Sequence, residues 1–508
     1  MNVQSFLKHH QLTENPFTAE EARLDPVFAK LGDANPQHPD FAKILGRIDN
    51  PATAVVFGEK GSGKTAIRID IEEHVQKHNE DHPDRRVLTV AYDDLNPVLD
   101  QLQRAKRQDA SKMLDNLRLE DHQDAMLSLA VTKVVDAILG GAGTPEVPMP
   151  DKLAKVLKKL PKEKRRDLAV LAMLYDNPGS GDPVERHAEL SKKLRLGSGL
   201  PLAFWLWVGV VGAVMAAGFG TAWFAMGEGV PWWVIPGVIL GGAMAIGGFF
   251  MWFAGSFALW KQARKVLKEM PAVHRSAEQL KAMLANTAGR TLTGQPLPEP
   301  HTDKDGPRDN RYQLTRRFVS VLKSLGYCGV MFLVDRMDEP TIVQSDPQKM
   351  RAIVWPMFDN KFLKQDDVGV KLLLPIELSY LLDKESREFY ERARLDKQNK
   401  IDRLTWSGAT LYDLCTSRLN IVRPMNAEKM SLTDLFTEDV DRSMLIDALD
   451  QMHQPRDAFK FMYGVIQEHC RLMPEESAEF QIARLTLDNV RRNQSQRVQE
   501  LYRGLTAG

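Results

Sequence analysis

Residues Gly58–Thr65 read G-E-K-G-S-G-K-T, a glycine-spaced run closing on adjacent amine and hydroxyl side chains. These residue types at this spacing suit one chemistry above others: the cradling of a polyphosphate. Gly58, Gly61 and Gly63 let the backbone turn tightly and present its N–H groups to phosphate oxygens. Glu59, Lys60 and Ser62 complete the loop that would surround the phosphates. Lys64 would reach the β- and γ-phosphates, and the Thr65 hydroxyl would ligate Mg²⁺. The flanks agree with that use. Ala54–Phe57 is a short apolar run, read as a strand, and Ala66–His74 is compatible with a helix. The start of that helix would add the positive end of its dipole. The plainer alternative is a glycine-rich turn before an ordinary helix.

A second stretch supplies the acidic groups such a site needs. Gly329–Pro340 reads G-V-M-F-L-V-D-R-M-D-E-P. Val330–Val334 predicts a short buried parallel strand, with Asp335 at its carboxyl end, where open α/β sheets place ligands. Asp335 would hold the Mg²⁺ shell opposite Thr65. Glu339 would polarise an attacking water, with Asp338 supporting the metal shell. The catalytic set is therefore expected to be Lys64, Asp338 and Glu339.

The elements that must position these groups are spread along 508 residues, enough for several domains. Residues 1–50 form an N-terminal segment with turns at Asn15-Pro16-Phe17 and Pro36–Pro39 and a short helix at Phe41–Ile48. Such a segment could pack near a nucleobase or simply brace the fold. Residues 51–97 carry the loop and a second strand, Arg86–Ala91, ending in Tyr92-Asp93-Asp94. Residues 98–200 read as a helical insertion. Its core stripe is expected at Met126, Leu127, Leu129, Val131, Val134, Val135 and Ile138. Its basic run, Lys152–Arg166, could face anionic lipid or solvent. Lys+Arg and Asp+Glu both number 67, so net charge points to no nucleic-acid or acidic partner. Cys328, Cys415 and Cys470 lie far apart, which fits a reducing compartment and small apolar fillers rather than disulfides or a cysteine-based zinc site. Met1–Asn15 is polar and shows no signal peptide.

Residues 201–260 set the chain apart. Pro201–Met226 and Val230–Trp260 contain no charged residue, and Glu228 is the single charge between them. Each run exceeds the ~20 residues that cross a bilayer core. Trp205, Trp207, Trp223, Trp232, Trp233, Trp252 and Trp260 concentrate here, mostly near the ends, as interfacial anchors do. Trp252 lies about two turns inside the second run, implying tilt or an early helix end. Gly212, Ala216 and Gly220 in the first run, and Gly237, Gly241 and Ala245 in the second, recur at a spacing suited to close helix packing, within a hairpin or between subunits. Lys192, Lys193 and Arg195 precede the first run; Lys261, Arg264, Lys265 and Lys268 follow the second. The turn has no Lys or Arg, so the positive-inside rule puts both soluble parts and both termini in the cytoplasm, as a two-pass protein of the cell (inner) membrane.

Residues 261–308 would hold a helix leaving the membrane, Val266–Ala288, and a Pro/Gly-rich linker, Thr291–Pro307. Residues 309–425 would complete the nucleotide domain, starting with the amphipathic helix Arg311–Leu325. They include a strand at Val370–Leu374 and a helix that follows Trp406 and is capped near Ser407. Arg387, Arg392 and Arg394 lie in a charged run, either a solvated face or a source of an arginine finger. Residues 426–508 read as a helical lid or assembly region, opening with Pro455-Arg456-Asp457. Arg491, Arg492 and Arg497 give only slight support for nucleic acid.

The two motifs together resemble the Walker A and Walker B pair of P-loop NTPases. Four apolar residues followed by Asp335, Arg336, Met337, Asp338 and Glu339 resemble the Walker B of STAND-type enzymes. Membrane spans between the two motifs resemble the KAP family, whose Walker B usually reads Asp-Asp-apolar-Asp-Arg; Arg336 and Glu339 differ from it. The resemblance implies an AAA+/STAND-like α/β P-loop fold with a parallel sheet, an inserted transmembrane hairpin and a C-terminal helical region. It implies a slow ATP hydrolase using Mg²⁺, with roles in signalling or defence and a homo-oligomeric or membrane-protein partner. It makes Val370–Leu374 a sensor strand with Glu377 as its polar residue, and Arg456 a contact to the γ-phosphate. A nucleotide-binding membrane scaffold with little turnover, an ATP-coupled transport component and a tethered nucleic-acid motor are the alternatives. Balanced charge disfavours the last.

Overall fold

The computed structural model describes residues 1–19, 21–107, 109–140, 143–144, 146–179, 181–196, 202–227, 231–270, 275–287, 310–474 and 479–506. Glu228 and the linker Thr291–Pro307 lie outside the described residues. The chain divides into two compact units. One comprises Met1–His78, Ala91–Leu95 and Met331–Gly508; the other comprises Asn79–Val90 and Asn96–Val330.

Seven strands occur among the described residues: β1 (Ala54–Gly58), β2 (Arg86–Tyr92), β3 (Gly143–Thr144), β4 (Val147–Pro148), β5 (Tyr327–Val334), β6 (Val368–Pro375) and β7 (Asn399–Ile401). Strands β3 and β4 form a two-residue antiparallel ribbon. The other five make a parallel sheet in the order β2-β5-β6-β1-β7. Strand β1 pairs in parallel with β6, Val56 opposite Leu373, and with β7, Val56 opposite Ile401. Every residue of β1 and β6 is buried, as expected of strands covered on both faces. Lys371 is the exception in type. It is fully buried in β6, where its ammonium donates to Leu45 O (2.9 Å) and Ala52 O (2.7 Å). Burial pushes it down to about 7.

In the first unit, a large apolar core joins the two ends of the chain. Phe6, Leu7, Leu12, Phe17 and Val27 pack in one cluster with Leu411, Leu445, Phe461, Val465 and Ile466. The N-terminal segment is thus part of the same core as the C-terminal helices Gly408–Ile421, Arg442–Asp450 and Pro455–Leu472. Asp25 and Arg418 form a buried ion pair within it (2.6 Å). Arg418 also donates to Pro16 O (2.8 Å) and lies over the Phe459 ring. Ser407 caps the helix Gly408–Ile421 by accepting from the Thr410 N–H, as expected. Among the charged residues of 387–400, Arg387 pairs with Glu391 and Arg394 with Asp396 on the surface.

In the second unit, the helical region expected from 98 onward is made of three helices, Asn96–Lys106, Ala110–Asp115 and Leu119–Gly140. Met126, Leu127, Val131, Val134, Val135 and Ile138 are buried, but Leu129 is exposed, so it leaves the expected core stripe. Asp124 accounts for much of the polar order inside. It accepts two hydrogen bonds from Arg311 (both 3.1 Å) and one from the Tyr175 hydroxyl (2.8 Å). A lone buried carboxylate would be costly, and this partnering offsets the cost.

The same unit holds two helices long and apolar enough to cross a membrane, Leu202–Met226 and Val234–Glu269. Only 11% and 17% of their most apolar stretches are buried in the protein, unlike the core helix of a water-soluble fold. Trp207, Phe224, Trp232, Phe250 and Phe253 are exposed. The expected small-residue contact forms within the pair: a Cβ on Gly212 would stand 2.4 Å from Ala245 N, and one on Gly241 would stand 2.6 Å from Ala216 N. Gly209 and Gly248 extend that seam, whereas Gly220 faces open space. The second helix does not end early at Trp252. It runs unbroken to Glu269, about 54 Å at ~1.5 Å per residue, well beyond a ~30 Å hydrocarbon core. The expected helix Val266–Ala288 is accordingly divided. Its first turn belongs to this long helix, and a separate helix spans Ala277–Thr287.

Candidate functional site

The loop Gly58–Thr65 links the carboxyl end of β1 to the helix Lys64–Asp81. Gly61 and Gly63 have φ of +100° and +93°, the left-handed region that only glycine enters cheaply. A Cβ at Gly61 would also stand 2.8 Å from the Arg456 Cβ. The loop is held from several sides. The Trp406 indole donates to Ser62 O (2.8 Å), and Arg403 pairs with the buried Glu59 carboxylate. The Lys64 ammonium donates to Gly58 O (2.7 Å) and Glu59 O (2.8 Å).

Asp335 follows the end of β5 and is almost fully buried. Its Oδ2 accepts from the Thr65 hydroxyl at 2.9 Å, joining residues 270 apart in sequence. Two oxygen donors so placed suit a hard divalent cation. Among the described residues, no three His, Cys, Asp or Glu side chains gather as a metal site. A cation here would therefore keep several waters or take oxygens from a ligand, which is how Mg²⁺ is usually held.

Arg68 was not anticipated. It lies one turn beyond Thr65 and is buried. Its guanidinium stands 3.7 Å from Asp335 Oδ2 and 3.6 Å from Asp93, and it donates to both Glu72 oxygens. The i, i+3 spacing from Thr65 was the one available signal.

Burial pushes the Asp335 carboxyl up, and the Thr65 hydroxyl, Lys64, Arg68 and the backbone at Arg336 oppose that rise. Burial pushes the Lys64 ammonium down; Asp335, Asp338 and Glu377 oppose that fall, while Arg456 adds to it. The positive and negative groups of the two motifs thus lie in one electrostatic neighbourhood.

They also line one cleft of about 490 Å³. Lys60, Gly61, Gly63, Lys64, Thr65 and Asp335 form its floor. Asp338, Glu339, Glu377 and Arg456 line it as well. Gly58, Glu59 and Ser62 shape the loop without lining the cleft. Arg456 sits in the first turn of Pro455–Leu472, its backbone N–H directed to Gly61 O (3.4 Å). Glu339 is exposed, and its carboxylate is paired with Arg336, a residue held in the left-handed region (φ +59°). Asp338 is half-buried, and its backbone oxygen accepts from Ser345 N–H (3.2 Å). The N-terminal segment supplies another wall through Phe28, Asn35, Pro36 and His38.

Chemically, this arrangement offers a positively charged floor, one buried and one half-buried oxygen donor, Asp335 and Thr65, and a partly apolar wall. No family model, curated protein or solved structure matches the chain.

Proposed function

We propose that this chain is a membrane-anchored P-loop nucleoside triphosphatase, similar in layout to the KAP and STAND types, that binds ATP with Mg²⁺. The observation that carries the reading is the 2.9 Å contact of Thr65 with Asp335 beside a glycine-rich loop. Thr65 and Asp335 would hold the cation, and Lys64 and the loop amides would hold the phosphates. Binding draws the Lys64 ammonium from its loop carbonyls toward the polyphosphate. Arg456, set against Gly61, would close on the terminal phosphate. Mg²⁺ held by Thr65 and Asp335 would supply positive charge to the terminal phosphate, while Glu339 would polarise the attacking water with Asp338 supporting the metal shell.

The hairpin would anchor the chain in the cell membrane with both soluble parts cytoplasmic. Lys261, Arg264, Lys265 and Lys268 at the end of the long helix support that orientation. Nucleotide state would then switch conformation or assembly, in a homo-oligomer or with a membrane-protein partner.

One observation favours a second reading, a nucleotide-binding scaffold with little turnover. The Glu339 carboxylate is engaged by Arg336 rather than presented to the cleft floor. Steady-state ATP hydrolysis by the purified chain and by Glu339→Gln separates the two. Loss of at least ~100-fold in kcat supports Glu339 as general base. Equal rates in both proteins sink that assignment. No measurable turnover with retained ATP binding selects the scaffold.

A further inference from the structure

The cleft does not stop at the loop. It continues along the Ala66–Asp70 face of the helix Lys64–Asp81, and Asn35 and Pro36 line it there. Ala66 and Asp70 are four residues apart, so they share that face about 6 Å from one another along the axis. The small Ala66 side chain leaves room; Asp70 bounds it with a carboxylate. Asn35 Nδ2 stands 3.3 Å from both Asp70 oxygens. Asn35 Oδ1 is buried with no hydrogen-bond partner. Burial, as the largest influence, pushes the Asp70 carboxyl up to about 6, and the Asn35 amide opposes that rise.

Two kinds of acceptor are therefore unspent at one end of the cleft: the remaining lone pairs of the Asp70 carboxylate and the Asn35 amide oxygen. No cation from the loop neutralises them. A ligand that brought only phosphate here would be repelled. A ligand that brought neutral N–H or O–H donors would satisfy both groups. The apolar surfaces of Phe28 and Pro36 line the same cleft. We infer that Asp70 and Asn35 form the nucleoside-reading end of the cleft, accepting hydrogen bonds from the nucleoside of a bound nucleotide. This rests on the phosphate-loop reading above and adds to it the source of discrimination between a nucleotide and a bare polyphosphate. The donors are an exocyclic amine of the base or the ribose hydroxyls.

The test is equilibrium binding to the detergent-solubilised full chain, with Mg-ATP and with Mg-tripolyphosphate as probes. Asp70→Asn keeps the shape but removes the charged acceptor; Asn35→Ala removes the amide. Asp70→Asn is expected to weaken Mg-ATP at least ~10-fold, the scale of a hydrogen bond to a charged group. Tripolyphosphate affinity should stay within ~2-fold, which also shows that the variant is folded. Asn35→Ala should weaken Mg-ATP alone, by a smaller factor. Purine riboside triphosphate lacks the amine, and 2′- and 3′-deoxy-ATP each lack one hydroxyl. The analogue on which Asp70→Asn has no further effect identifies the donor. Equal weakening of Mg-ATP and tripolyphosphate, or of neither, overturns the assignment of Asp70. Failure of the wild-type chain to bind either probe overturns the reading of the loop itself, and this inference with it.

Discussion

Asp25 and Arg418 give the sharpest stability prediction, because both are charged and both are nearly inaccessible. Asp25 is 5% exposed and Arg418 1% exposed. Their ion pair at 2.6 Å ties the N-terminal segment to the helix Gly408–Ile421. Asp25 also caps the helix Pro26–Leu31, its Oδ1 accepting from Val27 N–H at 2.9 Å. Asp25→Asn retains the cap and removes the charge, leaving the guanidinium buried and uncompensated. Breaking one side of a buried pair costs about 3–5 kcal/mol. Asp25→Ala loses the cap as well, adding about 1 kcal/mol. Arg418→Met leaves the carboxylate stranded and should cost a similar ~3–5 kcal/mol. The double variant Asp25→Asn/Arg418→Met removes both charges, so it should be at least ~2 kcal/mol more stable than the sum of the single losses implies. Equilibrium urea unfolding in detergent micelles, followed by tryptophan fluorescence, measures all four proteins. An Asp25→Asn loss below ~1 kcal/mol, or strict additivity in the cycle, would refute this assignment of the pair as a buried clamp.

Three further outcomes are expected. Gly212→Val should lower the thermal midpoint of the solubilised protein, because its Cβ would meet Ala245 N at 2.4 Å; Gly220→Val, with nothing within 4 Å, should leave it nearly unchanged. His187 is buried, donates from Nε2 to Ala169 O and is pushed down to about 4 by burial. The unfolded state therefore takes its proton first as pH falls. The stability it contributes is full above pH ~6.5 and is lost progressively toward pH 4, by about 3 kcal/mol at most. His187→Gln should flatten the pH dependence of unfolding across that window, and an unchanged slope would count against the assignment. Asp335→Asn should raise the Mg²⁺ concentration needed for half-maximal ATP binding by about 10-fold or more, read by titration with Mg²⁺ at fixed ATP.

The sheet was legible wherever an apolar run met a loop of distinctive composition. Ala54–Phe57, Arg86–Ala91, Val330–Val334 and Val370–Leu374 all fall inside strands β1, β2, β5 and β6, each extended by one or more residues. Strand β7 was hidden in the charged run Arg387–Lys400. It is three residues long, N-K-I, and its pairing with β1 uses backbone groups that composition does not report. Lys371, Arg68 and Arg418 look in sequence like ordinary surface cations. Their burial depends on partners elsewhere in the chain, so no local pattern announced it. Leu129 is two residues from both Leu127 and Val131, about 200° around the helix from each, so the helical period itself turns it to the outer face. The apolar runs were plain, and Pro271, just past the helix that ends at Glu269, with Ser276 before Ala277, is the local signal for the division between the two helices. Thr65 and Asp335 were paired by motif chemistry alone, and they stand in contact. The docking of residues 1–50 onto the C-terminal helices had no local signal, being a product of the shared core.

The most direct measurement is calorimetric titration of Mg-ATP into the detergent-solubilised full chain and into Lys64→Ala. The expected result is saturable binding near one site per chain, weakened at least ~100-fold by Lys64→Ala, because the variant lacks the charged donor that the loop would offer the phosphates, with far-UV circular dichroism unchanged as the check on folding. Absence of Mg-ATP binding by the wild-type chain, or equal affinity in Lys64→Ala, would contradict the assignment of Gly58–Thr65 as a phosphate-binding loop.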